Sequence, residues 1–160
     1  MPDIITDGTT RVYVAPSVSN IAAPTVAELN AGTQLDTIMT PDGLIGFEPE
    51  TADVDNSALS STFDTKLPGR ASFSNTGVRI KKQSATADTV YNLLVRNYAA
   101  YIVIRRGTAT TTAWTIGDKV EVYPITCGEV ANQPPEGNSV QRYMVPMKIT
   151  AQPNLRATVA

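Results

Sequence analysis

The chain has 160 residues and a formal net charge of −2 at pH 7, with 42% of its residues hydrophobic and 18% charged. That length suits one domain, residues 1–160, with enough apolar material for a core. It contains no histidine and a single cysteine, Cys127, which excludes an internal disulfide, Ser-His-Asp and Cys-His nucleophile pairs, and most zinc and non-haem iron sites.

The opening MPDIITDGTT lacks the basic and apolar regions of a signal peptide, and no apolar run approaches a membrane span. A soluble product of a reducing cytoplasm is the expectation. TRVYVA, from Thr10 to Ala15, alternates and reads as a first strand. APTVAELNAG follows; it suits a short helix with Pro24 in its first turn and Gly32 ending it. LDTIMT is a short strand, Pro41-Asp42-Gly43 a turn, and LIGFEPE a strand weakened by Gly46 and ended by Pro49.

The stretch from Phe47 to Arg70 holds five carboxylates and shows no convincing apolar pattern. It is expected to be a long inter-strand loop, a feature that compact domains keep only for a purpose or leave disordered. Beyond it, RASFSN and VRIKKQ flank a turn at Thr76-Gly77. TADTVYNLLVRNYAAY carries an apolar stripe through Val90 and Leu94 and predicts a helix over 86–98, capped by Ser84 or Thr86 with Asp88 at its positive end. YIVIRRG reads as a buried strand ending at two arginines. In KVEVYPITCGEV, Val120 and Val122 share one face and Lys119, Glu121 and Tyr123 the other, with Pro124 expected to mark a bulge or edge. QRYMVPMKITA predicts a long strand with Tyr143, Val145, Met147 and Ile149 on one side. The tail, residues 152–160, has room for one more short strand. Seven to nine strands with few helices make a mainly β fold, a β-sandwich or partly open barrel with one flanking helix.

Charge is divided along the chain. Residues 1–64 hold ten acids and one base, Arg11, a balance of −9; residues 65–160 hold five acids and twelve bases, a balance of +7. Either the halves fold together and mix these charges, or the acidic surface of one copy meets the basic surface of the next.

Chemistry-bearing clusters are sparse. Glu48 and Glu50 share a face across Pro49, but a solvated loop rim explains them, since nothing apolar nearby would shift their titration. Asp53 and Asp55 in DVDNS lack the glycine a calcium loop needs in its sixth place, where Ala58 stands. Arg105-Arg106 and Arg79-Lys81-Lys82 form basic spots without interleaved aromatics in a chain of pI about 5.1. Strand ends or a protein interface fit them better than nucleic acid. Cys127 is expected to be a small core residue.

Several segments together resemble a known family. APTVAELNAGTQLD resembles a motif near the N-terminus of major tail proteins, the tail tube subunits of long-tailed (siphophage-type) bacteriophages. ADTVYNLLVRNYAAYIVIRRG, then WTIGDKVEVYPITCGEV, and the closing VPMKITAQPNLRATVA are similar to that family's helix, inner strand, exit hairpin and C-terminus. The resemblance spans nearly the whole chain and implies a structural virion protein, not an enzyme, with no cofactor. It implies self-assembly into stacked hexameric rings, through which DNA passes without specific binding, and a long loop that docks on a neighbouring subunit. The partners implied are other copies of itself and tape measure, tail terminator and tail tip proteins, with no membrane. The place implied is the virion tail, after synthesis in the host bacterial cytoplasm.

On that footing the subunit interface is expected to draw on Asp53, Asp55, Leu59, Phe63, Asp64, Lys66 and Arg70 in the loop. Arg79, Lys81, Lys82, Arg105 and Arg106 supply the basic counterpart. Glu48, Glu50 and Glu121 are the candidates to face the lumen, because a wall that repels phosphate lets DNA slide. A head–tail joining or tail terminator ring protein is an alternative, as is a β-sandwich carbohydrate-binding module, against which Trp114 counts because it stands alone, with no aromatic platform around it.

Overall fold

A computed structural model describes residues 2–160. Strand formation follows the apolar alternation closely where both faces of a strand are covered. Strand β1 (Thr10–Ala15) is followed by helix α1 (Val26–Asn30), β2 (Thr33–Gln34), β3 (Met39–Ile45), β4 (Glu50–Asp55), β5 (Lys66–Ser72) and β6 (Gly77–Lys81). Helix α2 (Thr89–Leu93) then precedes β7 (Ala99–Arg106), β8 (Lys119–Cys127), β9 (Ala131–Asn132), β10 (Arg142–Ile149) and β11 (Asn154–Thr158). The main sheet runs β2-β1-β7-β8-β10-β6-β3, with β11 added to β8 and β9 to β10, while β4 and β5 pair only with each other as a second sheet. Every pairing is antiparallel.

The main sheet curls as a half-barrel, and its faces bury two cores. Val12, Val14, Ile102, Ile104, Tyr123, Ile125, Tyr143, Val145 and Met147 fill the first, closed by Leu35, Phe47, Val90 and Leu94. Tyr13, Ala15, Val103, Val120 and Val122 face the second, covered by Val18, Leu29, Trp114, Ala157 and Val159. The split between Val120/Val122 and Tyr123 agrees with the alternation read in the sequence. The C-terminal tail does form a strand, β11, along the first half of β8.

Five expectations are corrected. The helix over 86–98 shrinks to the five residues of α2. Asp88, not Ser84 or Thr86, is its N-cap, accepting from Tyr91 N at 3.1 Å. Asn97 at φ 67° and the bonds from Asn97 N to Cys127 O and Cys127 N to Tyr98 O draw the following residues toward the sheet. Val90 and Leu94 still reach the core, so the stripe was real but the helix carrying it was short. Pro41-Asp42-Gly43 is not a turn; it lies inside β3, where the register slips between Met39 and Leu44. Pro24 precedes the helix, with Thr25 as N-cap in a capping box with Glu28.

Pro124 does not end the β8 ladder: it pairs with Tyr101 in mid-strand. Its carbonyl accepts from Thr150 N. Because a strand residue's N and O point to the same side, its missing N–H faces the junction where β11 hands over to β10. A proline is tolerated in this central strand because no ladder donor is required there. Among the described residues no helix is long and apolar enough to cross a membrane.

Candidate assembly surface

The segment read as a loop, 47–70, folds differently at its two ends. Phe47 is core: it is buried and packs edge-on against Tyr123 with ring centroids 5.0 Å apart. Gly46, at φ 70°, makes this possible. A Cβ there would lie 2.4 Å from Ser74 O, so the chain turns at a point no other residue fits. Beyond Phe47 the chain leaves the body as the β4–β5 hairpin. Val54 pairs with Leu67 and Asp55 with Lys66, with a register slip between Thr51 and Asp53. Pro68 sits comfortably here because the hairpin has free edges.

The hairpin tip, residues 56–65, is ordered by short-range bonds. Ser57 N donates to Asp55 Oδ1 at 2.8 Å, Thr65 N to Ser57 Oγ at 2.9 Å, Asn56 N to Thr65 O at 3.2 Å and Ser61 Oγ to Phe63 O at 2.7 Å. The Ser57 N–H holds the Asp55 carboxyl below its ordinary range. None of these contacts buries apolar surface. Leu59 is fully exposed at 106%, Phe63 is 74% exposed, and Val54 and Leu67 are also exposed.

At the hairpin's root lies an open groove of about 740 Å³ between β5 and the β10–β11 turn, lined by Pro49, Arg70, Phe73, Lys148, Ile149 and Leu155 among others. A second groove, about 560 Å³, follows the open seam of the half-barrel between β1 and β3, where Thr10, Val12, Leu44, Phe47, Glu48 and Arg106 meet.

The expected interface residues divide into those on the surface and those already engaged. Leu59, Phe63, Asp64 and Arg70 are exposed on the hairpin. Asp53 and Lys66 are exposed too, but pair with each other at 2.7 Å. Arg79 pairs with Asp42, and Lys82 Nζ lies 4.6 Å from the Tyr91 ring centre. Lys81 is half-buried beside them at the end of β6.

Arg105 is a correction. It is not a surface cation but 1% exposed, paired with Asp118 at 2.8 Å and donating to the carbonyls of Ala109, Thr112 and Ala113. The Thr-rich loop after β7 folds over it. Arg11, its cross-strand neighbour, is also buried and stacks on Trp114, with its guanidinium carbon 4.9 Å from the ring centre. Trp114 is thus enclosed between two guanidiniums and Tyr13. At 4% exposure it offers no platform for a sugar.

Of the lumen candidates, Glu121 is half-buried and committed. It accepts from Arg106 Nε at 2.9 Å and from Tyr123 Oη at 2.9 Å. That bond holds the Arg106 guanidinium above its ordinary value. Glu48 is exposed in the seam groove with Arg106, and Glu50, exposed, accepts from Ser74 at 3.2 Å. Burial raises the Cys127 thiol to about 11, as suits the inert core residue expected.

Sequence reasoning missed the hairpin strands themselves. The available signal was weak: Val54 and Leu67 are the only large apolar residues in the two strands, and they are cross-strand partners.

Comparison with known proteins gives two findings. A chain from the cryo-EM structure of the anti-feeding prophage (AFP) baseplate, 6-fold symmetrised, aligns with a TM-score of 0.60 at 8% identity, covering 96% of this chain and 96% of that one. That likeness is one of fold. The comparison with curated proteins found no match. The family profile described as phage tail tube protein matches residues 1–160. By that match the chain belongs to the phage tail tube protein family.

Proposed function

We propose that this protein is the structural subunit of a phage tail tube, in which identical copies close into hexameric rings and the rings stack around a channel for DNA. The observation that carries the reading is the β4–β5 hairpin: an ordered arm bearing four exposed apolar side chains, none of which reaches a core of its own chain. A lone two-stranded hairpin is marginal in water, and its edges invite pairing. A partner surface resolves both problems. Membership of the tail tube family and a fold like that of a chain in a 6-fold symmetrised baseplate support the ring. In such a ring Glu48 and Glu50, both exposed, face the channel and keep it repulsive to phosphate. Tape measure, terminator and tip proteins cap or fill the tube, and the host cytoplasm is where it is made.

Sedimentation and negative-stain imaging at rising concentration test this. Long tubes are expected from the wild type, whereas a joining or terminator protein would stop at one ring. Replacing the tip by Leu59→Asp with Phe63→Asp abolishes assembly and leaves monomer stability within about 0.5 kcal/mol, since neither side chain is buried. A wild type that stays monomeric at millimolar concentration, or a double variant that assembles normally, contradicts the reading.

A further inference from the structure

The root groove and the hairpin tip are complementary in shape and charge. The groove is walled by Pro49, Phe73, Ile149 and Leu155, with Arg70 and Lys148 at its rim. Both cations are exposed, and neither forms an ion pair among the described residues. The tip presents the reverse: Leu59 and Phe63, both exposed, beside Asp55 and Asp64, which likewise form no ion pair among the described residues.

The tip cannot fill its own groove. Strand β4 separates them by six residues, and an extended strand rises about 3.3 Å per residue. Bending the tip back would break the β4–β5 ladder. We infer that the root groove of one copy receives the hairpin tip of the next, seating Leu59 and Phe63 against Phe73, Ile149 and Leu155, with Asp55 and Asp64 meeting Arg70 and Lys148. This deepens the tube reading and rests on it, by naming the receptor for the arm. Tip and groove are different patches on one chain, so the contact is heterologous. Such a contact cannot end in a twofold dimer; it closes a ring or runs on as a filament. Arg70 and Phe73 belong to the foot of the receiving copy's own hairpin, so an occupied groove braces the arm that must bind the following copy.

The test mixes two single variants, Leu59→Cys and Thr150→Cys, under oxidising conditions that allow assembly. Thr150 lines the groove and is exposed, and buried Cys127 does not compete. A disulfide joining one variant to the other is expected. A third variant, Thr40→Cys, reports on the seam groove. Assembly with linkage to Thr40→Cys alone, or with no linkage, overturns the inference while leaving the tube reading intact. A wild type that never self-associates removes both.

Charge reversal gives a second readout. Arg70→Glu with Lys148→Glu raises the concentration needed for assembly at least about tenfold, as does Asp55→Lys with Asp64→Lys, and combining all four restores it. Unchanged assembly in either double variant overturns the inference.

Discussion

Strands β7–β8 and the hairpin β4–β5 are both antiparallel pairs, yet one is largely buried and the other is exposed along both strands. In β7, Ala100 and the run Ile102–Arg105 are all buried, because cores lie on both faces of the sheet. In the two hairpin strands no residue is buried, and all but Gly69 are exposed. A strand pair held by its ladder alone gains little beyond its cross-strand contacts, each worth about 0.2–1 kcal/mol. The half-barrel therefore stabilises itself, while the hairpin offers its ladder and apolar side chains to something outside the chain. Elements that must bind are drawn from the least stable end of a structure.

Substitutions sharpen this contrast. The largest effect belongs to Arg105→Ala, which takes away the ion partner of Asp118 and one donor from each of three carbonyls at a buried site, leaving Ala113 O without its partner. A loss of about 3–5 kcal/mol is expected in denaturant melts. The hairpin's own ion pair, Lys66–Asp53, has side chains 60% and 63% exposed, so Lys66→Ala costs less than about 1 kcal/mol. Equal effects would erase the distinction between the regions. Next comes Ile102→Val, expected to cost about 0.5–1.5 kcal/mol because Ile102 has no exposed surface. Val54→Ala in the hairpin should change monomer stability by no more than about 0.5 kcal/mol.

The smallest effect is an acid-dependent one at α1. Glu28 has its pKa lowered from 4.5 to about 2, first by the Ser19 hydroxyl, then by the backbone N–H groups of Thr25 and Ser19. A depressed carboxylate stabilises the fold above its unfolded value, and that contribution fades as pH falls through the folded one. Melts of wild type and Glu28→Gln should therefore differ above pH 4.5, converge as pH falls, and coincide below about 2. A gap that persists in stronger acid would show that the carboxylate charge is not what matters.

The same contrast explains what could be read in the sequence. Strands β1, β7, β8 and β10 were legible because burial forces apolar residues into fixed alternation or unbroken runs. The hairpin was not, because strands with no buried residue are free to be polar. Asp53, Lys66 and Arg70 therefore looked like loop residues, although their place on an exposed arm could be inferred. Arg105 misled in the opposite direction. Two adjacent arginines at a strand end suggest a surface, but β geometry sends neighbours to opposite faces, and only Arg106 stayed outside. The signal was present in Trp114 and Asp118, an aromatic and an acid that the Thr-rich loop brings back over the first guanidinium. Helix α2 was overextended because its stripe continues into residues that sheet hydrogen bonds claim instead.

Hydrogen exchange on the dispersed and assembled protein tests the central claim most directly: the main sheet is held by cores of its own chain, and the hairpin is completed by another copy. Amides of β7 and β8 should be strongly protected in both states, while those from Glu50 to Ser72 exchange readily in the single chain and become protected on assembly, together with Lys148–Leu155 around the root groove. Hairpin amides that are already as protected as β7 in the single chain, or that gain nothing on assembly, would contradict the account.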